Sequence, residues 1–81
     1  MLEIILDNWP EEEILIVDGF DSAIIGLDEN SMRVIYSVTK CIEVLAEEGM
    51  DFEDAMEHFT FNVSGAHVGD NTPIFCWDLF I

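Results

Sequence analysis

Residues 37–59 read SVTKCIEVLAEEGMDFEDAMEHF, and the spacing of apolar groups in this stretch decides the fold. Val38, Cys41, Ile42, Leu45 and Ala46 fall at i, i+3, i+4, i+7 and i+8, a single stripe along a helix. Ser37 or Thr39 can cap its start by accepting a backbone N–H bond. Gly49 suits the left-handed position that ends a helix, and Met50 the apolar position after it. Asp51 then caps a second helix, whose stripe is Phe52, Ala55, Met56, Phe59 and Val63. Two amphipathic helices joined only by Gly49-Met50-Asp51 form an αα-hairpin.

Outside this stretch the period changes. Leu2–Leu6 is a short apolar run with strand character, broken by Asn8-Trp9-Pro10. Ile14-Leu15-Ile16-Val17 is a β-branched run of buried-strand type, ended by Asp18-Gly19. Residues 23–27 and 32–36 read as two strands around the polar turn Asp28-Glu29-Asn30-Ser31, hence a hairpin. Ile74-Phe75-Cys76-Trp77 reads as a last strand after the turn Asn71-Thr72-Pro73. The expected order is β-β-β-α-α-β. That is an α+β fold in one domain, residues 1–81, with the αα-hairpin packed on one face of a small antiparallel sheet.

Charge narrows the function. Eighteen Asp and Glu face only Arg33 and Lys40, for a formal net charge of −16, yet 51% of the 81 residues are hydrophobic. A disordered acidic tail would be poor in large apolar groups, so the chain must be two-faced, with an apolar core under an acidic skin. Without a basic patch, direct nucleic-acid binding and binding to anionic membranes are not expected. No stretch approaches the ~18 apolar residues of a membrane span. The N-terminus lacks the basic and long apolar regions of a signal peptide. A cytoplasmic protein is expected, with Cys41 and Cys76 as reduced thiols.

Within residues 41–59 lie seven carboxylates and no cation except Lys40 just before them. Glu43 and Glu47 stand at i, i+4, about 6 Å apart by helical rise, and Glu53 and Glu57 repeat that spacing beside Asp54. Like charges so placed each weaken a helix by a few tenths of a kcal/mol. Glu53 and Asp54 are explained by the dipole at the start of the second helix. Glu47 and Glu48, at the end of the first, are not. Glu43, Glu47, Glu48, Glu53, Asp54 and Glu57 are therefore the candidate partner-binding residues, and a protein with a basic surface is the expected partner. Carboxylates at this spacing resemble strand phosphates, so nucleic-acid mimicry is the sharper form of the reading. The plainer form is a solvated face.

Trp9, Trp77 and Phe80 form a candidate hydrophobic interface, since an 81-residue chain cannot fully bury all nine of its aromatic side chains. A homodimer or an accessory oligomerising domain is the alternative built on them. No metal or cofactor is expected. Asp18, Asp21, Asp28 and Glu29 could offer oxygen ligands, but DGFDSAIIGLDE departs from the calcium-loop pattern. Ser22, Ser64, His58 and His67 lack the surroundings of a nucleophile, so the chain is not expected to be an enzyme.

The segments Asp18-Gly19-Phe20-Asp21 with Ala23 and Gly26, then Tyr36, Gly49-Met50, Ala55, Phe59, Phe61-Asn62-Val63, Gly65-Ala66, Val68-Gly69 and Thr72-Pro73-Ile74-Phe75, resemble a family of short uncharacterised proteins found largely in bacteriophages and bacteria. The likeness covers roughly residues 14–76 and carries no activity with it. It implies a phage or prophage setting and argues against secretion. It favours a binder that blocks or modulates a host protein. It also makes Asp18 and Asp21 the first residues to examine for a site, and gives Asn62 a structural role in the loop after the second helix.

Overall fold

The computed structural model describes residues 1–63, 65 and 71–78. The sheet has three strands in the order β1-β2-β3, with β1 at Ile24–Asp28, β2 at Arg33–Ser37 and β3 at Ile74–Cys76. β1 and β2 form the expected antiparallel hairpin. Their register slips between Ile24 and Gly26, so two steps along β1 meet one along β2. The turn is closed by Asp28. Its carboxylate accepts from the Asn30 N–H at 3.1 Å and the Ser31 hydroxyl at 2.9 Å. Its carbonyl accepts from Met32 N–H at 2.7 Å.

The sheet is mixed, not wholly antiparallel. β3 runs parallel to β2, pairing Ile35 with Ile74 and Ser37 with Cys76. The reason lies in the connection. β2 passes without a loop into α2, Val38–Glu47, and then α3, Phe52–His58. The helical pair therefore acts as a crossover, the kind of link that parallel strands require. The class remains α+β, with α2 packed on β2 and α3 on α2.

The helix signals act as the sequence implies. Ser37 caps α2 by accepting from Lys40 N–H at 3.1 Å. Gly49 has φ +105°, its N–H bonds Ala46 O at 3.0 Å, and Met50 N–H bonds Leu45 O at 3.4 Å. This pair of bonds satisfies two of the carbonyls that a helix end leaves open. Asp51 caps α3 through Asp54 N–H at 2.8 Å. Val38, Cys41, Ile42 and Leu45 are buried, while Ala46 is exposed. Ala55, Phe59 and Val63 are buried and Met56 is half-buried, but Phe52 is 60% exposed. Beyond His58 the chain widens into a π-helical turn, Phe59–Val63.

Two expected strands are corrected. Residues 2–6 lie in a helix, α1, Leu2–Asn8. Leu2, Ile5 and Trp9, at i, i+3 and i+7, supply its core-facing side, a helical spacing hidden inside an unbroken apolar run. The residue before a proline is driven out of helical geometry, and α1 ends at Asn8, with Trp9 before Pro10 as its non-helical cap. Residues 14–17 belong to no strand. Val17 is buried, Ile14 half-buried, and Leu15 and Ile16 exposed. Val17 N–H bonds the Tyr36 hydroxyl at 2.7 Å instead of a neighbouring strand.

The core joins these parts. Tyr36, Val34, Val38, Cys41 and Phe59 are fully buried or nearly so. Tyr36 stacks on Phe75 at 5.7 Å between centroids, and Phe59 meets Phe75 and Trp77 edge-on at 5.3 and 6.1 Å. Cys41 and Cys76 are both free thiols.

Candidate functional site

All six candidate carboxylates, Glu43, Glu47, Glu48, Glu53, Asp54 and Glu57, are exposed. The fold separates them into groups. Asp54, Glu57, His58, Phe61 and Asn62 stand at i, i+3, i+4, i+7 and i+8 along α3 and its π turn. With Met50 they line one groove of about 500 Å³. Glu43 belongs to a different cleft, at the start of α2, shared with Ser37, Thr39, Lys40 and Asp78. Glu47, Glu48 and Glu53 line neither of these two hollows.

The groove mixes chemistries. Asp54 and Glu57 supply negative charge on the wall formed by α3. Phe61 is 72% exposed, an unusual position for a phenyl ring. Met50, which follows the Gly49 turn, packs in part against the core. Asn62 Nδ2 lies 3.4 Å from His58 Nδ1 and can donate to it. Among the described residues, Asn62 is thus tied back to the end of α3; the loop that its motif pointed to lies largely outside the described residues.

The π turn sets this face. Its wider turn keeps Phe59 and Val63 in the core while Phe61 and Asn62 point outward. Gly65 lets the chain pass close behind it. A Cβ there would sit 2.8 Å from the Thr60 carbonyl oxygen, which is too near for any side chain.

A second carboxylate site escaped the sequence reading. Asp78 accepts from the Ser37 hydroxyl at 2.5 Å and from Thr39 N–H at 3.0 Å. The Ser37 hydroxyl, and then the Thr39 N–H, hold its carboxyl down at about 2. This carboxylate sits where the α2 dipole favours it, so its role is structural. A lone aspartate 41 positions from Ser37 leaves no local signal of that contact.

The remaining candidates are dispersed. Asp28 is committed to the β1–β2 turn, where the Ser31 hydroxyl, followed by the Asn30 N–H, holds it below the ordinary carboxylate range. Asp18, Asp21 and Glu29 are exposed. Among the described residues, no group of three or more His, Cys, Asp and Glu side chains is placed to hold a metal ion. Ser22 lines a cleft with Met1, Leu2, Glu3 and Asp21, apart from His58. Ser64 and His67 lie outside the described residues. Trp9 is half-buried and Trp77 is 45% exposed, while Phe80 lies outside the described residues. No described helix is long and apolar enough to cross a membrane.

No protein-family model, characterised protein or solved structure matches the chain.

Proposed function

We propose that this chain is an interaction protein whose anionic helical surface occupies a basic site on another protein. A nucleic-acid-binding site on a host protein is the first place to look for it. The observation that carries the reading is the contrast between employed and unemployed carboxylates. Asp28, Asp51 and Asp78 each accept hydrogen bonds that close a turn or hold the start of a helix. Glu43, Glu47, Glu48 and Glu57 are exposed on or beside α2 and α3, with no such task among the described residues. Repulsion among them costs helix stability, and a basic partner would turn that cost into binding energy. The likeness to small phage proteins supplies the setting, in which blocking a host machine is a common strategy.

The test is capture from bacterial lysate by the tagged protein at low and high salt, followed by the quadruple variant E43K/E47K/E53K/E57K. Charge-driven binding weakens as screening grows, and the folded quadruple variant should lose the partner. A folded variant that binds as before would reduce the acidic helices to a solvated coat.

The alternative is an accessory domain that works by self-association. Its support is Trp77, which is 45% exposed beside Phe59. Sedimentation separates the two readings: a concentration-dependent dimer that W77A dissolves favours self-association.

A further inference from the structure

Two features of the α3 groove call for a ligand of different kinds. Phe61 leaves an aromatic ring 72% in water, which invites an apolar or planar neighbour. Asp54 and Glu57 line the same hollow and invite a cation. Met50 adds a polarisable thioether wall, and Asn62, with its Nδ2 turned to His58, has a carbonyl oxygen that this pair does not use. A compact ammonium would satisfy the carboxylates but not the ring. A purely apolar side chain would leave the carboxylates buried against it. Guanidinium is planar, weakly hydrated and cationic; it stacks on aromatic faces and forks onto carboxylates.

We infer that this groove receives an arginine side chain presented by the basic partner protein, with the guanidinium over Phe61 and between Asp54 and Glu57. The inference rests on the proposed anionic-surface reading and gives that surface a specificity. A general acidic coat binds lysine and arginine alike, whereas this groove prefers arginine. Glu43, Glu47 and Glu48 then contribute attraction at a distance, and the α3 face contributes the choice of side chain.

The test uses the full chain, isotope-labelled, titrated at low salt with tetra-arginine and tetra-lysine peptides of equal charge. Tetra-arginine should bind roughly fivefold more tightly, the ratio a partly exposed cation–π contact supplies. The resonances of Met50, His58, Phe61 and Asn62 should move most. F61A and F61L should each bring tetra-arginine affinity down to that of tetra-lysine, erasing the preference. Because Phe61 is exposed, both variants should keep the native melting temperature. D54N/E57Q should weaken both peptides. The groove assignment is overturned if F61A keeps the preference, or if both peptides bind equally with shifts centred on Glu43, Glu47 and Glu48. In that outcome the anionic-surface reading survives. If neither peptide binds at low salt, the anionic-surface reading falls as well.

Discussion

Tyr36 carries more of this structure than its single hydroxyl implies. The side chain is wholly buried, stacks on Phe75 and accepts the Val17 N–H. Burial is the main reason its phenol is pushed above the ordinary value. Y36F keeps the ring and strands a buried backbone donor, which costs about 1–3 kcal/mol. The expected result is a melting temperature lower by several degrees, since each kcal/mol moves a domain of this size by about 4–8 °C. A thermal melt checks it. Cys41 reports on the same core from the alkaline side. Burial raises its thiol from 9.0 to about 12. A raised folded value means a contribution that is whole below pH 9 and is lost as pH rises toward 12. Stability measured by denaturant titration should fall across that window, and the fall should be shallower in C41A.

The helices were legible because their signals are local. Ser37, Gly49 and Asp51 each act within four residues, and each performs the role its residue type implies. G49A should therefore destabilise by about 1 kcal/mol, because alanine resists the left-handed backbone that glycine occupies there; a melt of the exposed-site variant measures it. The β1–β2 hairpin was legible for the same reason. What escaped depended on distance. Residues 2–6 offer five apolar or acidic positions that suit strand or helix equally, and tertiary contact of Leu2, Ile5 and Trp9 with the core decides the matter. Residues 14–17 have the composition of a buried strand, but their fate is set by Tyr36, 19 positions away from Val17. The parallel direction of β3 followed from the crossover, which no window of sequence displays. At the candidate site, the carboxylates were visible, but the separation of Asp54 and Glu57 in one hollow from Glu43 in another was not. The spacing Asp54, Glu57, His58, Phe61, Asn62 was present in the sequence and would have found the groove had the polar face been read as closely as the apolar one.

At the scale of the whole molecule the dominant fact is net charge −16 spread over a body of 38 × 24 × 23 Å. At 0.01 M salt the screening length is about 30 Å, so most carboxylates feel one another; at 0.15 M it is about 8 Å. The melting temperature should accordingly rise by several degrees between those salt concentrations, and a flat profile in calorimetry would contradict this account. Acid acts differently on the Asp78 carboxylate, which ties the two ends of the crossover together. Asp78 is depressed from 3.8 to about 2, so its contribution is whole above pH 4 and disappears as pH falls toward 2. The difference in melting temperature between the native chain and D78N should shrink steadily across that interval.

The bond from Ser37 to Asp78 also orders events in time. The β1–β2 hairpin and the two capped helices need only neighbouring residues, whereas β3 and Asp78 must return across 41 positions to reach the start of α2. Closing so long a loop carries an entropic cost that the local elements escape, and the Ser37–Asp78 bond is expected to form only after that closure is complete. Stopped-flow kinetics should then show D78N unfolding faster than the native chain while refolding at nearly the same rate. The contact that locks the crossover would thus govern how long a folded molecule lasts, and hardly at all how soon it forms.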